Sequence, residues 1–183
     1  MFRYFLALLP PVEVQQQANE LKEYFARVYD SRKAFNAPPH ITLYPPFLWS
    51  ETRLAELTQI LEQFALNQKP IPIVLDGFGA FKPRVIFLRP RKTPELMEIE
   101  QTLGAVLMQE LGLVTPQKNR FFNPHLTLAF RDLTRDNFKA AWSEFETREF
   151  HAEFTVNQLT LLRHQGHHWQ IEREFALNTV TGR

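Results

Sequence analysis

The sequence predicts an α+β fold of two similar halves, about residues 1–82 and 83–183 of a single domain, around a central groove. Three observations predict it. A short motif occurs twice, as Pro39-His40-Ile41-Thr42-Leu43 and Pro124-His125-Leu126-Thr127-Leu128. Apolar runs of strand length alternate with longer stretches of helical periodicity. The order of these elements (strand, helix, His strand, helix, strand) occurs once in each half.

In the first half, Arg3 to Leu9 reads as a buried strand that Pro10-Pro11 ends. Residues 12–29 read as a helix, with Leu21, Phe25 and Val28 on its apolar side. Residues 31–38 read as a loop, and the first His strand follows and stops near Pro45-Pro46. Leu54, Leu57, Leu61 and Phe64 give residues 51–66 a helical stripe. Residues 71–81 read as a strand, irregular near Gly77 and Gly79.

The second half begins with a short strand at 85–88 and a helix opened by Pro94 and closed near Gly112. A polar loop at 115–120 leads to the second His strand, and Thr134 caps a helix containing Phe138, Trp142 and Phe145. Residues 154–162 read as one strand, Gly166 as a turn, and 169–175 as a return strand. Each half is expected to cover one face of its own sheet with its helices. The opposite faces then meet across a groove walled by the two His strands.

Composition removes several functions. With no cysteine, disulfides, thiolate catalysis and cysteine-ligated zinc are excluded. A net charge of +1 argues against a broad basic surface for long duplexes, and leaves room for a local basic groove. The apolar run Tyr4–Leu9 is too short for a signal peptide and lacks a small-residue cleavage pattern. A cytoplasmic protein without a membrane span is expected. Phosphate-loop and dinucleotide glycine motifs do not occur, so no nucleotide cofactor is expected.

Side chains alternate faces along a strand. His40 and Thr42 therefore share one face, as do His125 and Thr127, while Ile41, Leu43, Leu126 and Leu128 enter the core. Two imidazoles suit general acid–base catalysis, because an unperturbed ring titrates close to pH 7, where one can be neutral while the other is protonated. Thr42 and Thr127 can donate hydrogen bonds to phosphoryl oxygens from opposite sides. In-line attack on a phosphodiester uses this set without a metal. One His takes a proton from water, and the other protonates the leaving oxygen.

The motifs His40-Ile41-Thr42-Leu43 and His125-Leu126-Thr127-Leu128 resemble the paired His-x-Thr/Ser-x signature of the 2H phosphoesterase superfamily. Within it, the chain is similar to the RNA 2',3'-cyclic phosphodiesterases, also called 2'-5' RNA ligases. Tyr4-Phe5-Leu6-Ala7-Leu8 resembles that group's first strand, and Arg84-Val85-Ile86-Phe87-Leu88 the strand opening its second half. The resemblance implies a bilobal, pseudo-twofold fold with both motifs in a central cleft. It implies opening of 2',3'-cyclic phosphates to 2'-phosphates without metal, and in some members reversible 2'-5' joining. It also implies His40 as acid toward the leaving 3'-oxygen and His125 as base for water. Pro45-Pro46-Phe47 and Phe130-Arg131 depart from the family pattern at the strand exits, which bears on substrate.

Other candidates follow from position. Strand parity sets Tyr44 on the His40–Thr42 face, where it is a candidate to stack on a base or to pack in the core or rim, and Arg131 on the His125–Thr127 face, as a phosphate contact or a solvated charge at the strand end. Lys33 and Arg120 are candidates to guide an anion, and Arg84 and Arg89 read as surface residues. One of Phe121 and Phe122 is expected in the core. His164, His167 and His168 around Gly166 read as exposed turn residues, without a carboxylate spaced to complete a metal site. The expected partners are RNA ends or small nucleotide cyclic phosphates, and the expected state is a monomer. The alternatives are an enzyme acting on ADP-ribose cyclic phosphate or 2'-5' oligoadenylate, and a non-catalytic RNA-end-binding protein.

Overall fold

The structure, a computed structural model, describes residues 1–114 and 121–179. The polar loop at 115–120, with Arg120, and residues 180–183 lie outside the described residues. The elements are β1 (Phe2–Leu8), α1 (Val12–Tyr29), β2 (Ile41–Trp49), α2 (Leu54–Leu66), β3 (Ile71–Phe81) and β4 (Val85–Pro90). They continue as α3 (Pro94–Leu111), β5 (Leu126–Ala129), α4 (Arg135–Phe145), β6 (His151–Val156), β7 (Gln158–Gln165) and β8 (His168–Ala176).

Local chemistry accounts for the helices. Helix α1 buries Val14, Ala18, Lys22, Phe25 and Tyr29, a stripe at helical spacing that includes one charge. Thr93 caps α3 by accepting a hydrogen bond from the Leu96 N–H, Pro94 fills its first turn, and Gly112 ends it at φ 66°. Thr134 caps α4 in the same way through the Asn137 N–H. Residues 51–53 form a 3-10 turn before α2 begins, so the helix read from 51 starts three residues later.

All strands form one antiparallel sheet in the order β6-β3-β4-β5-β2-β1-β7-β8. The motif strands β2 and β5 are central neighbours. Outward from them the order is β1-β7-β8 on one side and β4-β3-β6 on the other. The expectation that each half builds its own sheet does not hold. A tight turn after Phe81 forces β3 into a hairpin with β4 of the second half, while β7 of the second half pairs with β1.

The strand read at 154–162 is two strands. Asn157 alone separates β6, at one edge of the sheet, from β7, second from the other edge. A one-residue link between such distant positions requires the sheet to bend back on itself. The Leu177 N–H closes the bend by donating to the Asn157 carbonyl at 2.8 Å.

Strand β2 also runs past Pro45-Pro46, where the sequence reading ends it. Between the pairs Leu6–Tyr44 and Tyr4–Phe47 it carries an extra residue, and both prolines are exposed on that bulge. On its other side β2 pairs with β5 only at Ile41–Leu126. No ladder N–H is demanded of either proline, so the strand tolerates them.

The main core lies between the sheet and the helices, with α1 against β5, α3 against β2 and α2 against β8. Ile41, Leu43, Leu126 and Leu128 all enter it. Each fully buried Leu or Ile contributes about 1.5–3 kcal/mol, which fixes the opposite face of β2 and β5 toward the groove. There a small second cluster of Phe5, Ala7 and Leu162 forms, with Trp169 against it. Among the described residues no helix is long and apolar enough to cross a membrane.

Candidate active site

The two motif strands meet at the Ile41–Leu126 pair. In an antiparallel register this sets His40 level with Thr127, and Thr42 level with His125. All four side chains line one groove of about 350 Å³, together with Arg131 and Lys33.

The same contact holds both imidazoles. His40 Nδ1–H donates to the Pro38 carbonyl at 2.7 Å, and His125 Nδ1–H to the Asn123 carbonyl at 2.8 Å. A carbonyl only accepts, so Nδ1 carries the proton and Nε2 is the basic nitrogen of each neutral ring. Pro39 and Pro124 separate each ring from its acceptor residue. Each His also meets a phenyl ring at 4.9 Å, Phe5 for His40 and Phe81 for His125. The Thr42 and Thr127 hydroxyls have no protein hydrogen-bond partner among the described residues, which leaves both donors available to a ligand.

The surroundings of the two rings differ. Lys22, only 2% exposed, rises from the buried stripe of α1 beneath His40. Its Nζ donates to the carbonyls of Ala34 and Ala37 at 2.9 and 3.1 Å, pinning the loop that delivers His40. Burial holds the Lys22 pKa down at about 8. Burial likewise lowers His40 to about 4, opposed by the Pro38 hydrogen bond and reinforced by the charges of Lys22 and His125. His40 is therefore neutral near pH 7.

The His125 side is walled by aromatic rings instead. Phe87 lies 5.5 Å from His125 and 4.6 Å from Phe81. Gly79 makes room for it, since a Cβ there would fall 2.4 Å from the Phe87 ring.

Strand parity fails just after both motifs, for one reason. Ala7 pairs with Thr42 but Leu6 with Tyr44, and Phe87 pairs with Thr127 but Ile86 with Ala129. Each strand thus bulges by one residue after its Thr and turns the next two residues into the core. Tyr44 is consequently buried at 3% exposure, packed edge-on against Phe47, and does not line the groove as expected. Its hydroxyl is buried without a partner among the described residues.

Arg131 reaches the groove from a turn beyond the end of β5, and not by strand parity. Its φ of 60° is left-handed, which costs a non-glycine residue about 1–2 kcal/mol. The Asp132 carboxylate steadies this turn by accepting hydrogen bonds from Ser31 Oγ, Arg32 N and Lys33 N. The loop before the first motif is thereby tied to the loop after the second, and Lys33 is presented to the groove.

Arg84 and Arg89 are exposed and do not line the groove, and Arg89 donates to the Asp76 carbonyl. Phe122 packs against the core, while Phe121 is 95% exposed. His164 and His167, read as turn residues, line the groove with Arg3 and Trp169. No sequence pattern marked them as groove residues, because the pairing of β7 with β1 brings them there. Lys22 did carry a legible signal, a charge at a buried helical position.

A family profile described as the 2'-5' RNA ligase superfamily matches residues 10–168. The chain belongs to this superfamily. A protein of Geobacillus kaustophilus, named provisionally as a phosphoesterase, is 30% identical over 162 residues, covering 87% of each chain. A similarly named protein of Geobacillus thermodenitrificans is 31% identical over the same coverage. Among solved structures, TT0787 of Thermus thermophilus superposes with a TM-score of 0.73 at 22% identity, over 96% of this chain and 98% of that one. E. coli LigT in complex with 3'-AMP gives 0.65 at 20% identity, over 97% and 99%. These likenesses bear out the α+β, 2H phosphoesterase-type fold.

Proposed function

We propose that this protein is a phosphodiesterase that opens the 2',3'-cyclic phosphate ends of RNA to 2'-phosphates by two-histidine acid–base catalysis. The observation that carries the reading is the four-residue array, two imidazoles with matched Nδ1 anchors and two threonine hydroxyls without a protein partner among the described residues, on one groove face. Membership of the superfamily and the phosphoesterase names of its relatives support it.

In the proposed reaction the cyclic phosphate sits between the strands. Thr42 and Thr127 donate to its nonbridging oxygens, and Arg131 adds charge. His125 takes a proton from water as the water oxygen bonds to phosphorus. The P–O3' bond breaks, and His40 gives its proton to the departing 3'-oxygen. Burial and neighbouring charge keep His40 neutral, so the proton it donates is taken up as the substrate anion enters and offsets those charges. A 5'-hydroxyl attacking in place of water forms a 2'-5' linkage with the same residues.

The second reading is turnover of a free nucleotide, such as ADP-ribose cyclic phosphate, or of a 2'-5' oligoadenylate. The modest groove and the net charge of +1 favour it, as do LigT structures in complex with ATP and NADP+. The third reading, RNA-end binding without catalysis, predicts capture of ends and no hydrolysis. Since both walls of the groove come from one chain, a monomer suffices, and the cysteine-free composition suits the cytoplasm. The test is turnover of adenosine 2',3'-cyclic phosphate and of an oligonucleotide bearing the same end. The expected product is the 2'-phosphate, at a rate unchanged by EDTA. Absence of turnover on both substrates rejects the proposal.

A further inference from the structure

The groove holds more positive charge than one reacting group requires. A phosphodiester carries a single negative charge near pH 7. Arg3, Lys22, Lys33 and Arg131 all line the groove with four histidines, and no Asp or Glu among the described residues does. The whole chain is nearly neutral at +1, so this excess is local. Lys22 is committed to two backbone carbonyls. Lys33 and Arg131 belong to the loops that Asp132 ties together beside the motifs.

A separate group remains at the β7–β8 hairpin. Tyr4 pairs with Arg163 across β1 and β7, so one step outward along the ladder Arg3 lies beside His164. His167 sits in the adjoining turn, and Trp169 packs edge-on against His164 at 4.8 Å. Arg3 is exposed and forms no ion pair with a described carboxylate. Burial lowers the His164 pKa, and the positive charges of Arg3, His167 and His168 lower it further. Arg3 is the standing cation of this group, and a bound anion would favour the protonated form of the imidazoles beside it. None of these residues is needed for proton transfer between the motif histidines.

We propose that Arg3, His164 and His167 form a second anion subsite, which holds a phosphate of the substrate other than the reacting one. The inference rests on the phosphodiesterase reading above and narrows its substrates to those with at least two phosphate groups. In RNA the second group is the linkage to the preceding nucleotide. In a free nucleotide it is a 5'-phosphate.

The test compares binding of adenosine 2'-phosphate and adenosine 2',5'-bisphosphate to the full chain by titration calorimetry at fixed pH. The wild type is expected to bind the bisphosphate about tenfold more tightly. Arg3→Ala, and separately the double variant His164→Ala with His167→Ala, should bring the ratio close to one. Lys139→Ala, an exposed cation on α4 outside the groove, should leave it unchanged. Equal binding by the wild type overturns the proposal, as does a preference that survives both variants or that Lys139→Ala removes equally. A dinucleotide ending in a 2'-phosphate separates the sources. Binding like the bisphosphate assigns the subsite to the RNA linkage, and binding like the monophosphate assigns it to free nucleotides. The ratio needs no turnover, so failure of the phosphodiesterase reading, seen as absent hydrolysis, is distinguishable from failure of the subsite.

Discussion

The two half-sites share their chemistry and differ in their support. Both rings are anchored through Nδ1 to a carbonyl two residues earlier, and both meet a phenyl ring at 4.9 Å. Below His40, however, a buried lysine fixes the preceding loop, and desolvation holds the ring neutral. Beside His125, Phe81 and Phe87 form a wall made possible by Gly79. Matched backbone anchors thus carry two histidines in unlike environments. Burial by itself disfavours the protonated form of His40, so its proposed role as acid depends on the negative charge that the substrate brings.

The largest expected effect comes from removing either ring. His40→Ala and His125→Ala should each lower kcat/KM on a cyclic phosphate by about 10²–10⁴. A substrate whose leaving group needs no protonation sharpens the comparison. His40→Ala should recover on it, and His125→Ala should not. Recovery of His125→Ala alone reverses the roles of the two rings.

Lys22→Met tests the support of the His40 half-site. Loss of the Ala34 and Ala37 anchors should lower kcat/KM by about tenfold through misplacement of His40. Stability measured against pH provides an independent readout. Folding lowers the Lys22 pKa from 10.5 to about 8. Between these values the unfolded chain holds a proton that the folded chain lacks, so raising the pH through this window favours the fold. The gain is on the order of 3 kcal/mol, and Lys22→Met should lack it. His40 acts with the same sign lower on the scale. Its pKa falls from 6.5 to about 4, so acidification across that window destabilises the fold, and His40→Ala should flatten that slope. Denaturant midpoints across both windows, wild type against variant, check these slopes.

Gly79→Ala is the matching break on the other side. Its Cβ would displace the Phe87 ring, at about 1–3 kcal/mol of stability, with a fall in activity through His125. The alkaline stability gain of Lys22 should persist in this variant. If Gly79→Ala leaves both stability and kcat/KM unchanged, the aromatic wall does not support His125.

Tyr44→Phe has the smallest expected effect. It removes a buried hydroxyl without a partner among the described residues, so the denaturant midpoint should hold or rise, by up to about 1 kcal/mol in stability. Turnover should not change, because Tyr44 lies outside the groove. A loss of activity would return Tyr44 to the site.

Much of this molecule is legible in its residues. The span 12–29 is helical in sequence and structure alike, although the buried stripe is Val14, Ala18, Lys22, Phe25 and Tyr29, and Val28, read on the apolar side, is exposed. The same holds for Pro94 at the start of α3, for Gly112 at its end, for the cap Thr134, and for the irregularity in β3, where Gly77 takes φ 68°. The repeated His-x-Thr stretch placed His40, Thr42, His125 and Thr127 on a shared face, since alternation along a short strand is also local. Parity lasted only as far as the ladder stayed regular. The bulges after Thr42 and Thr127 depend on what β1 and β4 present across the sheet, and they took Tyr44 into the core. Strand order, the bend at Asn157 and the arrival of Arg3, His164 and His167 at the groove depend on contacts far apart in the chain. No local pattern encodes such contacts, so tertiary packing alone decided what surrounds the two histidines, while the sequence by itself determined that there are two.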